Sequence, residues 1–118
     1  MSIVAIDFDG TVVNHEFPVI GQELPGALNT MRAMQKAGHK IIIWTCRCGK
    51  EIAEMVAWFT EKNFVPDAIN SNIGLRDGYG VPKIYADFYF DDRGFPPFSG
   101  WDSAYEKFVM ETRMKKRK

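Results

Sequence analysis

Cysteine and histidine are scarce in this 118-residue chain, at two each, and no apolar run approaches the roughly 18 residues of a membrane span. Cys46 and Cys48 stand one residue apart, which strains an intrachain disulfide and leaves a four-ligand zinc site short of donors. Reduced thiols are the expectation. Net charge is also lacking: fifteen Lys and Arg offset fifteen Asp and Glu, which excludes the strongly basic balance of a dedicated nucleic-acid binder. The charge is uneven along the chain, however. Five of the basic residues fall in 113–118 and every acid precedes them, so residues 1–112 carry a net −5 and a basic tail follows. The opening Met-Ser-Ile-Val-Ala-Ile-Asp has no basic leader region, so a cytoplasmic protein that does not enter membranes is expected.

Apolar residues, by contrast, are plentiful. At 46% hydrophobic and 14% aromatic, residues 1–112 suffice for a single domain with its own core, unaided by metal or disulfide staples. Ile3-Val4-Ala5-Ile6 and Lys40-Ile41-Ile42-Ile43-Trp44-Thr45 are short β-rich runs that end in a polar residue, as buried parallel strands do. Between them Leu28, Met31 and Met34 recur at helical spacing up to Gly38, a helix stop. Ile52, Met55, Val56 and Phe59 mark a second helix over 50–63, closed off by Pro66. Ala68-Ile69-Asn70 reads as a third strand and Ala86–Phe90 as a fourth. Ser99-x-x-Asp102 opens a last helix bearing Trp101, Tyr105 and Phe108. The segment 71–82, with three glycines and a proline, reads as a loop and a candidate lid. This alternation predicts an α/β fold: a three-layer, Rossmann-like parallel sheet with helices on both faces and no cap domain.

In such a sheet every strand ends on the same edge, and ligands bind where the winding reverses. Asp7 and Asp9 follow the first strand, Thr45 the second, and Asp91 and Asp92 the fourth, with Lys83 just ahead of it. If the first strand is central, all of them converge. Carboxylates so crowded need a cation between them, and hard oxygen donors with few imidazoles nearby favour Mg²⁺. Gly10 and Thr11 can offer backbone N–H groups, Thr45 a hydroxyl and Lys83 a point charge to an anion, which together describe a phosphoryl site. Spacing suits Asp7 to in-line attack on phosphorus and Asp9 to proton transfer. Arg47 and Arg93, close behind two of these positions, are candidates for a second substrate anion.

Asp7-Phe8-Asp9-Gly10-Thr11 resembles the first motif of the haloacid dehalogenase-like hydrolases. Ile41–Thr45 resembles the second motif, Lys83 the third and Phe88-Tyr89-Phe90-Asp91-Asp92 the acidic fourth, in the family's order. The resemblance implies a small, capless member of the phosphatase type. It implies Asp7 as nucleophile and Asp9 as acid and base, with Thr45 and Lys83 on the phosphoryl group. It also implies Mg²⁺ on Asp7, the Asp9 carbonyl and Asp91, with Asp92 as a further candidate. The expected function is Mg²⁺-dependent hydrolysis of a phosphate monoester, small or macromolecular.

Three other readings share these residues. One is a non-enzymatic module that binds Mg²⁺ and carries phosphate as a signal. Its usual acid order differs, and Asp9 would speed loss of the phosphate. Another is a phosphatase acting on nucleic-acid ends, supported by the open site and the basic tail. The last is a phosphotransferase in which another hydroxyl replaces water. With no room for a cap, water exclusion falls to residues 12–24, the 71–82 loop, a second subunit of a homo-oligomer or the substrate itself.

Overall fold

The computed structural model describes residues 1–73, 84–94 and 97–116, apart from the side chains of 114–116. Four strands and three helices alternate: β1 (Ile3–Asp7), α1 (Ala27–Lys36), β2 (Lys40–Trp44), α2 (Lys50–Glu61), β3 (Ala68–Ile69), β4 (Phe88–Phe90) and α3 (Trp101–Lys116). The strands form one sheet in the order β3-β2-β1-β4, and every pairing is parallel. The fold is therefore the expected Rossmann-like α/β type. β1 is flanked by β2 on one side and β4 on the other, with Asp7 opposite Trp44 and Ile6 opposite Phe90. This is the topological switch point, where a right-handed βαβ chain reverses its direction of travel.

Period-two alternation sorts the strand residues. Val4, Ile6, Ile41, Ile43 and Phe90 join one buried cluster with Met31 and Met34 of α1, Met55 and Phe59 of α2, and Trp101 and Phe108 of α3. All three helices thus feed the same core. The opposite face is also covered, since Ala5 and Ile42 are fully buried, but no described helix lies in the crossover from β3 to β4 that would place one there. On that face Trp44 and Tyr89 meet edge to face at 5.8 Å, and both remain partly exposed.

The helix ends follow local chemistry. Gly38, at φ +95°, takes the left-handed conformation that lets the His39 N–H reach the Met34 carbonyl at 3.0 Å and stop α1. The second helix stops earlier than Pro66 suggests. Asn63 is left-handed at φ 58°, and the Phe64 N–H returns to the Phe59 carbonyl at 3.0 Å. The last helix runs on to Lys116, so the first four residues of the expected tail are helical. No described helix is long and apolar enough to cross a membrane.

Candidate active site

Asp7 closes β1, and the next residue, Phe8, is a fully buried anchor whose ring meets Trp58 and Phe59 edge-on at 5.6 and 5.4 Å. Fixing Phe8 fixes the two aspartates on either side of it. The chain then turns sharply: the Phe8 carbonyl accepts N–H bonds from Thr11, Val12 and Val13, and Gly10 donates to the Val13 carbonyl at 2.8 Å. The backbone donors of Gly10 and Thr11, expected to hold an anion, are thus engaged in building the turn. Gly10 serves in a different way. Its φ of +92° suits glycine, and a Cβ placed there would overlap the carboxylate of Asp92.

That close approach brings the acids together. Asp7, Asp91 and Asp92 each offer a carboxylate oxygen within 4.8 Å of the other two, a set suited to a hard cation. The electrostatics agree. Burial, a side-chain hydrogen bond with Asp92 and the charges of Asp91, Asp92 and Asp9 push Asp7 up from 3.8 to about 8. Without a cation, Asp7 therefore keeps its proton at neutral pH. Asp91 also accepts the Arg93 N–H at 2.9 Å, which shapes the turn after β4. Replacing Gly10 by alanine is expected to displace Asp92 and destabilise the fold by about 2 kcal/mol through the positive φ. Calorimetric titration with Mg²⁺ alongside thermal unfolding checks this. Unchanged affinity and unchanged midpoint would separate Gly10 from the acid cluster.

Asp9 lies outside the cluster. Its carboxylate turns to Arg47, which grips it with a bidentate fork: Nε to Oδ2 and Nη2 to Oδ1, both 2.8 Å. The guanidinium also donates to the carbonyls of Pro18 and Val19 at 3.1 Å each, and lies against the rings of Phe8 and Phe17 at 5.3 and 5.2 Å. The Arg47 side chain has no solvent exposure. This corrects its expected role as a substrate-anion ligand, because nothing outside the protein can reach it. Of the four expected metal-binding aspartates, Asp7, Asp91 and Asp92 keep their carboxylates for a cation, while Asp9 has only its main-chain carbonyl left to offer. The Arg47 contacts also pin the segment from Asn14 to Leu24, which closes as a loop through Asn14 N–H to the Gln22 carbonyl and Leu24 N–H to the Val12 carbonyl.

Thr45 is buried at the end of β2, where its hydroxyl oxygen accepts the Arg47 N–H at 3.1 Å. The hydroxyl proton is left to donate. Asn70 clamps the same residue from the end of β3, taking the Thr45 N–H at 2.8 Å and donating to the Thr45 carbonyl at 2.9 Å. Neither the Asn70 clamp nor the Arg47–Asp9 fork follows from the linear sequence. A polar residue ending a short strand was the one trace of the first, and an arginine two places after Thr45 was that of the second. Arg93 is exposed beside the acid cluster. Lys83 and most of the candidate lid, residues 74–83, lie outside the described residues, as do Phe95 and Pro96.

Comparison with protein-family models and with curated proteins gives no match. Among solved structures, a conserved protein from Bacteroides thetaiotaomicron is similar to this chain, with a TM-score of 0.87 and 31% identity over 93% of this chain and 91% of the other. The chain belongs to the same family as that protein.

Proposed function

We propose that this chain is a Mg²⁺-dependent phosphomonoester hydrolase of the haloacid dehalogenase-like type. The observation that supports it most is the meeting of Asp7, Asp91 and Asp92 at the switch point, with Asp9 held two residues from Asp7. Asp7, Asp91 and Asp92 would hold the cation. When bound, it would offset the charge of these carboxylates and of the substrate's phosphoryl oxygens.

A carboxylate oxygen of Asp7 attacks phosphorus, forming the aspartyl phosphate as the ester P–O bond breaks. The Thr45 hydroxyl donates to a phosphoryl oxygen. The leaving oxygen takes a proton from Asp9, which has first taken that proton from solvent as one of its bonds to Arg47 opens. Water then attacks phosphorus and gives its proton to Asp9, which restores the Asp7 carboxylate and releases phosphate. Both oxygens of Asp9 accept guanidinium N–H bonds, so a proton enters or leaves only as one of these bonds lengthens. Arg47 is accordingly a positioning residue.

Phosphate release should be measured from sugar phosphates, nucleotides and phosphorylated oligonucleotides, with and without Mg²⁺, for the wild type and Asp7→Asn. Metal-dependent release is expected, reduced at least about 10³-fold in the variant. Full turnover by the variant would sink the mechanism. The engagement of both Asp9 oxygens also favours a second reading, a phosphorylated signalling module, because slow proton transfer preserves the aspartyl phosphate. Under that reading, protein treated with a small phosphodonor keeps acid-stable label for minutes and releases little phosphate.

A further inference from the structure

A groove of about 510 Å³ lies between β4, the chain that follows it and α3. Its size falls within the range of small-molecule sites. The groove follows the edge of β4, with Trp44 and Tyr89 on one side of the sheet and Phe90, Phe98 and Phe108 on the other, and Asp91 of the acid cluster lines it as well. Asp91 makes the groove continuous with the candidate active site. Asp91 is shared by the groove and the acid cluster, so a substrate that extends from the cluster past Asp91 meets the groove's aromatic surface.

We propose that this groove binds a planar aromatic ring carried by the substrate, so that the preferred substrate is a phosphate ester with an aromatic or nucleobase-bearing leaving group. The proposal rests on the phosphoryl-site reading above and adds the substrate class to it. Three features support a planar ring over an alkyl chain. On one side of the sheet Trp44 and Tyr89 stand edge to face at 5.8 Å, and on the other Phe90 and Phe98 are tilted at 6.1 Å, so a ring lying along either side of β4 meets aromatic surface. The ring wall of Trp44 and Tyr89 is partly exposed and unfilled by the core. The groove also has charged side chains to address ring heteroatoms: Lys107 and Glu111, one helical turn apart on α3, line it. Together these supply a donor and an acceptor. A simple aryl group would use the rings alone, and a nucleobase would use the rings and this pair.

The test uses the full chain carrying Asp7→Asn, so that ligands are not consumed, in the presence of Mg²⁺. Calorimetry compares 1-naphthyl phosphate, a nucleoside monophosphate, glycerol phosphate, and the dephosphorylated naphthol and nucleoside. The planar phosphates are expected to bind at least about tenfold tighter than glycerol phosphate. Adding Trp44→Ala should remove most of that preference and leave glycerol phosphate unchanged, and Trp44→Leu, which keeps an apolar side chain without the ring, should act the same way. Loss of affinity in Lys107→Ala for the nucleotide alone identifies a nucleobase; no effect of that variant identifies a simple aryl group.

Equal affinities for planar and glycerol phosphates overturn the proposal while the phosphoryl site stands. Naphthol or nucleoside binding that depends on Trp44 but gains nothing from the phosphate supports the groove and sinks the phosphatase reading instead. A concentration-dependent dimer that Trp44→Ala dissolves, with no ligand bound, makes the groove a contact between copies and overturns the proposal.

Discussion

Arg47→Ala is expected to abolish turnover and to destabilise the fold by about 3 to 5 kcal/mol, the usual result of stranding one member of a buried ion pair. The Asp9 side chain is only 11% exposed, and its two oxygens would lose both partners at once. The Pro18 and Val19 carbonyls would lose theirs as well, and the buried ring of Phe8 would face a void. A loss of that size is a large share of a small domain's stability, so two further variants keep the measurement readable. Arg47→Lys retains charge but not the planar fork, and its turnover should fall about 10²-fold through misplacement of Asp9. Arg47→Met combined with Asp9→Asn removes both charges, and should be less destabilised in urea than the sum of its single variants. Additive losses would mean that the pair is not coupled.

Asp7→Asn should have the opposite effect on stability. In metal-free buffer Asp7 has a folded pKa of about 8 against 3.8 for the unfolded chain, mainly because of burial. Between those values the folded protein holds a proton that the unfolded chain has released. Stability therefore falls as pH rises through this window, and the loss is complete above the folded value. Asparagine has no such titration. The variant should match the wild type below pH 4 and exceed it increasingly toward pH 8, by about 1 to 3 kcal/mol after discounting for solvent screening. Thermal unfolding in chelator from pH 4 to 8.5 measures this directly, and parallel curves for the two proteins would rule it out. Saturating Mg²⁺ should reverse the order, because only the wild type offers the Asp7 carboxylate to the cation. The same substitution would then remove activity and add metal-free stability, a pairing expected of a residue whose strain serves function.

Much of this architecture was legible in the chain itself. The runs at Ile3–Ile6 and Ile41–Ile43 are apolar and, Ala5 apart, β-branched because both faces of a parallel strand are buried, a pattern that needs no tertiary information. Met31 and Met34, and Met55 and Phe59, fall on helix faces for a similarly local reason, the 3.6-residue period. A central β1 was a condition of the convergence of the acidic residues, and the structure meets it: β1 and β4 are neighbours, so Asp7 and Asp91 stand at the ends of adjacent strands. Boundaries were harder. Asn63, not Pro66, stops α2, because a left-handed asparagine can end a helix without any strong sequence signal.

The strand and helix alternation, the parallel sheet and the strand-end position of the acidic residues thus follow from local periodicity and chain chirality. Which partners those residues take is set by the fold. Arg47 lies 38 positions from Asp9, and its turn inward to Asp9 depends on the Asn14–Leu24 loop supplying two carbonyls and a ring around it. Gly10 and Thr11 looked like anion donors, but their N–H groups close the turn that seats Asp92 against Asp7. Asn70 anchors Thr45 across 25 residues. A residue's type states which bonds it can make; which of them it makes depends on partners distant in sequence, and folding alone brings those within reach.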